Sequence, residues 1–170
     1  MVRVLFVCWG NICRSPLGEF ILLDLVAGRR QINDFVIESA ATSREEIGNS
    51  VYPPALRELS RRGIGSNPKL SEADNKYIQK RIRQKTARQI AASDYAKFDY
   101  ILIMEEMHRK YVERITGPDV DGKVHCLLEY AGLNRGISDP WYTGDFETAF
   151  DDILMGCEAF LEFVDSYSSI

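Results

Sequence analysis

The chain has 170 residues, of which 45% are hydrophobic and 27% charged, a balance that supports one folded domain with a core rather than a disordered segment. Its net charge of −4 argues against a uniformly basic nucleic-acid-binding protein, and four cysteines are too few for a scaffold held by disulfides. Two histidines leave few ligands for a metal site, so the composition directs attention to thiols and carboxylates.

Apolar runs along the chain are short. The run at residues 20–23 is far below the roughly 20 residues that span a membrane, and the N-terminus lacks the small-residue cleavage site of a secretory signal. We therefore expect a cytoplasmic protein with no membrane or nucleic-acid partner, whose thiols stay reduced.

Apolar periodicity predicts strands that alternate with helices along the chain. In chain order, we expect a strand at 2–7, a helix from 16 to 26, a strand at 35–38 and a helix from 53 to 62. The second half continues with a long helix capped by Ser71 and reaching as far as 92, a strand at 100–104, a helix at 105–115, a strand at 123–127 and a helix at 146–167. This alternation indicates an α/β domain with a parallel sheet.

Positive charge is concentrated in residues 61–88, which carry nine Lys or Arg against Glu72 and Asp74. The net charge of this segment is +7, whereas the rest of the chain carries −11. Such a segment is either a solvated helix face or a docking surface for an acidic partner.

The turn between the first predicted strand and helix carries the candidate chemistry, and it reads Cys8-Trp9-Gly10-Asn11-Ile12-Cys13-Arg14-Ser15. Where a parallel strand leads into a helix, several free backbone N–H groups meet in one concavity that binds anions. Gly10 and Asn11 tolerate the positive φ that such a wrap requires. The turn therefore predicts an anion site.

A cysteine at the base of that concavity is a candidate nucleophile, because the aligned amides favour its thiolate. Arg14 follows Cys8 with five residues between them, and its planar fork matches two phosphoryl oxygens. Ser15 can donate a hydrogen bond to the departing thiolate. The pattern predicts a phosphate site with a built-in nucleophile; the alternative is a buried Cys8 that ends a strand, with Arg14 on the surface. A nucleotide-binding P-loop is set aside because its Gly-x4-Gly-Lys-Ser/Thr motif is missing.

Two separated motifs resemble one known family. Residues 7–19, Val-Cys-Trp-Gly-Asn-Ile-Cys-Arg-Ser-Pro-Leu-Gly-Glu, resemble the signature of the low-molecular-weight protein tyrosine phosphatases. Asp139-Pro140-Trp141-Tyr142, followed by Asp145-Phe146-Glu147, resembles the family's Asp-Pro-aromatic-aromatic loop and the start of its last helix. Shorter matches keep the family's order at 39–42, 63–64, 87–90 and 98–104. The resemblance covers nearly the whole chain, so that residues 1–170 are expected to form one family domain.

The resemblance implies a fold and a reaction. The fold is a single three-layer α/β domain whose four-stranded parallel sheet has the order 2-1-3-4, with helices on both faces and the site at the carboxyl ends of the strands. The reaction is hydrolysis of phosphotyrosine in protein substrates through a phosphocysteine. Cys8 would be the nucleophile, Arg14 and the loop amides would bind phosphate, and Asp139 would act first as acid and then as base. No metal or cofactor is expected, because Arg14 and the amides supply the positive field.

The same resemblance implies supporting and pocket residues. Asn11 and Ser39 match positions that buttress the phosphate loop by hydrogen bonds, and Trp141 and Tyr142 match an aromatic wall beside it. The expected phosphate-binding and supporting set is Trp9, Gly10, Asn11, Ile12, Cys13, Ser15 and Ser39. The expected substrate pocket comprises Trp9, Trp141 and Tyr142.

The remaining cysteines have separate expectations. Cys13 lies in the same turn as Cys8 and could pair with it on oxidation, which would shelter the nucleophile from irreversible oxidation, as the family also suggests. Cys126 and Cys157 are interpreted as core residues.

Four features depart from the family pattern. Trp9 stands where members often have a smaller residue, and we expect it to form part of the pocket wall and to narrow substrate choice. Glu45 stands where many eukaryotic members place a pocket Trp, and Lys85 where many have a His of the loop-supporting network. Residues 65–84, called segment 65–84 below, are an apparent insertion, since the eukaryotic pattern has only a few residues there. This segment is expected to form a helix or hairpin near the site that recruits an acidic phosphoprotein, or else a peripheral helix.

Three rival functions are weighed against the phosphotyrosine hypothesis. Thioredoxin-linked arsenate reductases need further cysteines near the site, and Cys126 and Cys157 lie too far along the chain on a predicted strand and helix. Protein arginine phosphatases usually have Thr where Ile12 stands, which favours phosphotyrosine. A catalytically inactive phosphate-binding module is disfavoured by the intact Cys8, Arg14 and Asp139.

Overall fold

The computed structural model describes residues 1–168 of the chain, and its elements alternate between strand and helix. In chain order these are β1 (Val2–Cys8), α1 (Arg14–Gly28), β2 (Phe35–Ala41), α2 (Pro53–Arg61), α3 (Glu72–Gln84), α4 (Ala92–Lys97), β3 (Tyr100–Ile103), α5 (Met107–Thr116), β4 (Val124–Cys126), α6 (Pro140–Thr143) and α7 (Phe146–Ser168). Short 3-10 helices cover Ile32–Asp34 and Leu127–Ala131. Among residues 1–168, no helix is both long and apolar enough to cross a membrane.

The four strands form one parallel sheet in the order β2-β1-β3-β4, which confirms the predicted topology. β1 lies between β2 and β3, so the chain adds β2 on one side of β1 and β3 and β4 on the other. In this register Cys8 is opposite Ala41, and Val7 is opposite Ile103. Ligands of open parallel sheets bind at such a switch point, beyond the carboxyl ends of the strands. Cys8 is the last residue of β1 and therefore lies at that point.

Side chains on the two faces of β1 enter two separate cores. Val4 and Phe6 pack in a large cluster with apolar residues of α1, α2, α3 and α7. Leu5 and Val7 pack on the opposite face with residues of α4 and α5, among them Val112. Because the centre of β1 is buried on both faces, its sequence from Val4 to Val7 is continuously apolar rather than alternating. The arrangement confirms the three-layer architecture.

Helix α1 approaches β1 closely at Gly18. A β-carbon at this position would lie 2.5 Å from Cδ1 of Phe6, so only glycine allows this distance between helix and sheet. The close approach keeps α1 against β1, and the first turn of α1 lies beside the end of the strand, where Ser15 Oγ is 3.0 Å from Cys8 Sγ.

The prediction of one long helix reaching from 71 as far as 92 is wrong for the carboxyl end of that helix. Ser71 caps α3 as expected, its Oγ accepting a hydrogen bond from the Asp74 N–H at 3.0 Å, but the helix stops at Gln84. Residues 85–91 are extended instead, because their backbone pairs with distant segments. Ala41 N–H donates to Arg88 O at 2.7 Å, and Ile90 N–H donates to Ala41 O at 2.8 Å. These tertiary hydrogen bonds override the local helical pattern, and a separate helix, α4, begins at Ala92.

Candidate active site

The loop between β1 and α1 wraps tightly at Asn11, whose φ is +59°. The positive φ expected in this loop therefore occurs at Asn11 and not at Gly10. Gly10 leaves room for a neighbouring side chain: a β-carbon there would lie 3.3 Å from Cγ of Glu46, which packs over the loop and would have to shift slightly. Cys13 occupies the N-cap position, and α1 starts at Arg14.

The Cys8 thiol is buried at the base of this loop and has two polar neighbours. Its Sγ lies 3.0 Å from Ser15 Oγ and 3.3 Å from the Asn11 backbone nitrogen, which donates to it. Both neighbours come from the turn predicted to bind phosphate, and either the sulfur or Ser15 Oγ can be the donor between them. This surrounding can stabilise negative charge on sulfur through hydrogen bonds.

Arg14 is almost completely buried, with 2% of its surface exposed, so the alternative of a surface arginine is wrong. Its Nη1 donates to Glu105 Oε1 at 2.9 Å and to the Ile137 carbonyl oxygen at 2.8 Å. Its Nη2 donates to Asp139 Oδ2 at 3.1 Å. The fold therefore brings Arg14 and Asp139, which come from opposite ends of the chain, into direct contact.

Glu105 is a site residue that sequence reasoning missed. Glu105 comes shortly after β3 in the sequence, and the carboxyl ends of parallel strands meet at one edge of the sheet. Its position after a predicted strand was therefore the signal that could have placed it near Cys8. Its Oε1 also lies 3.3 Å from Nε2 of the buried His108. Burial, with a smaller contribution from the Arg14 charge, lowers the pKa of His108 to about 4, so the imidazole is neutral at physiological pH.

The predicted residues surround a cavity of about 120 Å³. Its lining is Cys8, Trp9, Gly10, Ile12, Cys13, Arg14, Glu45, Glu46, Asp139, Trp141 and Tyr142. The other predicted residues, Asn11, Ser15 and Ser39, are buried and hydrogen-bonded to one another behind the loop. The structure thus brings all the predicted site residues together, in a lining layer and a supporting layer.

Two departures from the family pattern, Trp9 and Glu45, are partners in the structure. The Trp9 indole Nε1 donates to Glu45 Oε2 at 2.9 Å, and the ring packs edge-on against Tyr111 of α5, with centroids 5.3 Å apart. The Trp9 side chain is 38% exposed at the cavity mouth. One wall of the pocket is therefore formed by Trp9 and held in place by Glu45 and Tyr111.

Another part of the cavity wall comes from the loop that carries Asp139. Oδ1 of Asp139 accepts a hydrogen bond from the Trp141 N–H at 3.1 Å and caps the short helix α6, which orients its carboxyl group. Trp141 is half-exposed and packs on Tyr52 with ring centroids 4.8 Å apart, whereas Tyr142 is 84% exposed. Both aromatic rings are thus at the cavity mouth rather than in the core.

A buried network supports the loop from behind. Asn11 Nδ2 donates to Ser15 Oγ at 2.8 Å and to Ser39 Oγ at 2.9 Å. Ser39 Oγ in turn donates to Glu19 Oε2 at 2.5 Å, and Lys85 Nζ donates to the Ser39 carbonyl oxygen at 2.9 Å. Glu19 belongs to the recognised motif, yet its place in this network could not be read from the sequence.

Each of the other cysteines has a distinct environment. Burial raises the pKa of the Cys13 thiol, and the neighbouring Cys8 raises it further, so Cys13 stays protonated at neutral pH. Cys126 and Cys157 lie in the two cores, as predicted. Burial and a hydrogen bond to Glu106 raise the pKa of Cys126 to about 12.

Among the described residues, Glu106, Cys126 and Glu129 form the one cluster with metal-ligand spacing. None of the three lines the cavity, and Glu106 is paired with Arg109 at 2.6 Å. The cluster therefore contributes nothing to the site around Cys8.

Most of the basic side chains in residues 61–88 are paired with acidic side chains, partly at the surface. Six of the nine basic side chains form ion pairs with acidic residues: Arg61, Arg62, Lys76, Arg81, Lys85 and Arg88. The other three, Lys69, Lys80 and Arg83, are exposed. The segment is therefore less available to an acidic partner than its net charge of +7 suggests.

Comparisons with known proteins identify the family and the fold. A sequence profile of the low molecular weight phosphotyrosine protein phosphatases matches residues 3–169. The Gallus gallus low molecular weight phosphotyrosine protein phosphatase is 36% identical over 94% of this chain and 93% of its own. The crystal structure of YfkJ from Bacillus subtilis is 31% identical, with a TM-score of 0.84 over 98% of this chain and 96% of its own. The crystal structure of a Drosophila arginine phosphatase is 29% identical, with a TM-score of 0.76 over 95% of this chain and 96% of its own. The chain belongs to the low molecular weight phosphotyrosine protein phosphatase family.

Proposed function

We propose that this protein hydrolyses phosphotyrosine in proteins through a phosphocysteine formed on Cys8. One observation carries the proposal: a buried thiol, a buried guanidinium and a carboxyl group, those of Cys8, Arg14 and Asp139, line the same cavity. These are the nucleophile, the phosphate-binding cation and the proton donor that cleavage of a phosphomonoester requires.

In the first step, the phosphoryl group lies in the loop between β1 and α1, where backbone N–H groups and Arg14 neutralise its oxygens. The Cys8 thiolate attacks phosphorus, and the bond from phosphorus to the phenolic oxygen breaks. Asp139 gives its proton to that oxygen, so that tyrosine leaves as a neutral phenol. The protein contributes mainly position and electrostatic stabilisation of the transferred group.

In the second step, Asp139 takes a proton from a water molecule, whose oxygen attacks the phosphocysteine. The sulfur–phosphorus bond breaks, inorganic phosphate is released and Cys8 leaves as a thiolate. Ser15 Oγ, 3.0 Å from the Cys8 sulfur, stabilises the departing thiolate by donating a hydrogen bond. No metal or cofactor takes part in this scheme, because Arg14 and the loop amides supply the positive charge.

The pocket walls favour an aryl phosphate. Trp9 and Trp141 both line the cavity and are partly exposed, and Ile12 contributes an apolar side chain to the lining. A phenyl ring against these aromatic side chains gains stacking contacts and buried apolar area. Trp9, held by Glu45, narrows this opening and therefore restricts substrate choice.

One observation favours a second candidate substrate, phosphoarginine: the likeness to a Drosophila arginine phosphatase. Ile12 at the cavity lining argues for phosphotyrosine instead. Two peptides of the same sequence, one with phosphotyrosine and one with phosphoarginine, discriminate the candidates. We expect the phosphotyrosine peptide to be hydrolysed at least tenfold faster; the reverse order would assign the protein to phosphoarginine.

The same proposal extends to setting and organisation. The four cysteines are buried free thiols, which is in keeping with a cytoplasmic protein in a reducing compartment.

We place residues 1–170 in one domain in which segment 65–84 is an insertion. An acidic partner of residues 61–88 would contact the exposed Lys69, Lys80 and Arg83.

Pairing of Cys8 with Cys13 on oxidation would protect the nucleophile from irreversible oxidation. Inactivation by peroxide that dithiothreitol reverses is the result expected from such pairing.

The direct test is turnover of para-nitrophenyl phosphate in the presence of a metal chelator. We expect the wild-type protein to release nitrophenolate and Cys8→Ser to abolish the release. Cys126→Ser, which changes a core thiol outside the cavity, is the matched control and keeps turnover. A wild-type protein that binds phosphotyrosine without hydrolysing it would instead be a binding module.

A further inference from the structure

Glu19 is a buried carboxylate whose main partner comes from segment 65–84. Only 2% of its side chain is exposed. Its Oε1 accepts a hydrogen bond from Arg81 Nη2 at 2.7 Å, and its Oε2 lies 3.5 Å from Lys85 Nζ. A carboxylate taken out of water is strongly unfavourable unless cations and hydrogen bonds compensate it. Arg81, near the end of α3, supplies the shorter of the two cationic contacts.

Arg81 is itself held in one orientation. Its Nη2 also donates to the Ile37 carbonyl oxygen of β2 at 2.9 Å, and its Nη1 donates to the Tyr77 hydroxyl at 2.9 Å. The guanidinium is therefore fixed between the sheet edge and its own helix. Such a planar fork binds a carboxylate and a carbonyl together, which a lysine ammonium does less well.

An unbroken chain of hydrogen bonds runs from Glu19 to the Cys8 thiol. It passes from the Glu19 carboxylate through Ser39 Oγ, Asn11 Nδ2 and Ser15 Oγ to the Cys8 sulfur, with successive distances of 2.5, 2.9, 2.8 and 3.0 Å. Every member is buried. Buried polar networks of this kind fix the orientation of all their members.

The direction of donation along this chain follows from the charge on Glu19. A carboxylate can only accept, so the Ser39 hydroxyl gives its single proton to Glu19 and must accept from Asn11. Both protons of the Asn11 amide are then used on Ser39 and Ser15, while Asn11 Oδ1 accepts from the Arg88 N–H at 3.2 Å. Ser15 accepts from Asn11, so its single proton is available to the Cys8 sulfur at 3.0 Å, with the Ala40 carbonyl oxygen at 3.4 Å as the more distant competing acceptor.

We infer that Arg81 is a positioning residue through which helix α3 acts on the nucleophile. As the ion-pair partner of Glu19, it holds that carboxylate in place to accept from Ser39 and so sets the donor direction that ends on Cys8. Segment 65–84 is, on this account, a structural support of the phosphate loop rather than only a peripheral helix. The inference rests on the proposed function, in which the Cys8 thiolate is the nucleophile.

The test compares variants on one helix. Arg81→Gln removes the countercharge, Arg81→Lys keeps a charge without the fork, and Arg83→Gln changes an exposed neighbour as the control. We expect kcat for para-nitrophenyl phosphate to fall about tenfold in Arg81→Gln, about threefold in Arg81→Lys and not at all in Arg83→Gln, a range typical of a lost charged hydrogen bond. Alkylation of Cys8 by iodoacetate at pH 7 is expected to slow in the same order, which a merely structural role would not produce in a folded protein.

A double-variant cycle tests whether Arg81 acts through Glu19. In a Glu19→Gln background the acceptor charge is already gone, so adding Arg81→Gln should cause no further loss of kcat. Independent, multiplying losses would overturn the inference, as would kcat and alkylation rates of Arg81→Gln within twofold of wild type. If Arg81→Gln does not fold, Arg81→Lys decides alone, and wild-type kinetics for it contradict the inference.

The same measurements separate the inference from the proposed function. Absence of turnover in the wild-type protein would overturn the proposed function. Active wild-type protein with unaffected Arg81 variants would overturn only the inference.

Discussion

Arg14 is a buried cation with three acceptors, and in the proposed mechanism an arriving phosphate dianion competes with one of them. Its Nη1 is fixed by Glu105 and the Ile137 carbonyl oxygen, so the exchange takes place at Nη2, which faces Asp139 at 3.1 Å. In the proposed mechanism, phosphate replaces Asp139 as the partner of Nη2. The released carboxyl group is then free to face the ester oxygen.

This role of Asp139 predicts a dependence on the leaving group. Asp139→Ala removes the proton donor, which matters most when the departing alcohol is a weak acid. We expect kcat to fall by roughly 10³-fold for phosphotyrosine and by about tenfold for phenols that leave readily as anions. A series of aryl phosphates measures this, and equal losses across the series would remove Asp139 as general acid.

The residues proposed to carry the chemistry could be predicted because they lie in two local motifs. Cys8, Arg14 and Asp139 are recognisable from their neighbours in sequence, and the structure brings them into one cavity. Glu105 and Glu19 could not be assigned roles in the same way, because what each does depends on partners distant in sequence. The pairing of Trp9 with Glu45 likewise exists only in the folded chain.

At the scale of elements, the contact between α1 and β1 sets the position of the phosphate loop. Gly18→Ala would introduce a β-carbon 2.5 Å from the Phe6 ring, which forces helix and strand apart. We expect the free energy of unfolding to fall by about 1–3 kcal/mol, despite the better helix propensity of alanine. Urea denaturation measures the change.

The matched control is Gly28→Ala on the same helix, where the nearest atom to the new β-carbon is 3.9 Å away. The midpoint urea concentration for unfolding of this variant should equal that of the wild-type protein or be slightly higher. Equal destabilisation of both variants would contradict the packing argument.

Element boundaries were predictable where local signals decide and not where distant pairing does. The Ser71 cap starts α3 as expected, because a capping side chain acts within one turn. The end of α3 at Gln84 is decided by backbone pairing of residues 85–91 with Ala41 and Asn49, which no local pattern contains. The order of the strands in the sheet could be predicted only from the family resemblance, because apolar runs do not show which strands are neighbours.

At the scale of the whole molecule, the buried His108 predicts a pH dependence of stability. Its pKa is lowered by burial from an ordinary 6.5 to about 4, so the unfolded chain binds more protons between these values. Stability is therefore unaffected by His108 above pH 6.5 and falls as pH decreases towards 4, by up to about 3 kcal/mol at lower pH. Urea unfolding at pH 7 and at pH 4.5 measures the slope.

His108→Gln removes this group and should make stability less dependent on pH over the same interval. Its loss of unfolding free energy between pH 7 and pH 4.5 is expected to be smaller than that of the wild-type protein. An unchanged slope would show that carboxylates alone set the acid sensitivity.

Formation of a phosphocysteine is the central claim, and it is testable on the intact protein. In Asp139→Ala the first step with para-nitrophenyl phosphate keeps most of its rate because the leaving group needs little help, whereas breakdown lacks its base. Rapid mixing followed by mass spectrometry of the proteolysed protein should find phosphate on the peptide that contains Cys8, and none in the Cys8→Ser variant. Release of nitrophenolate with no phosphate on Cys8, or with phosphate on another residue, would contradict the account.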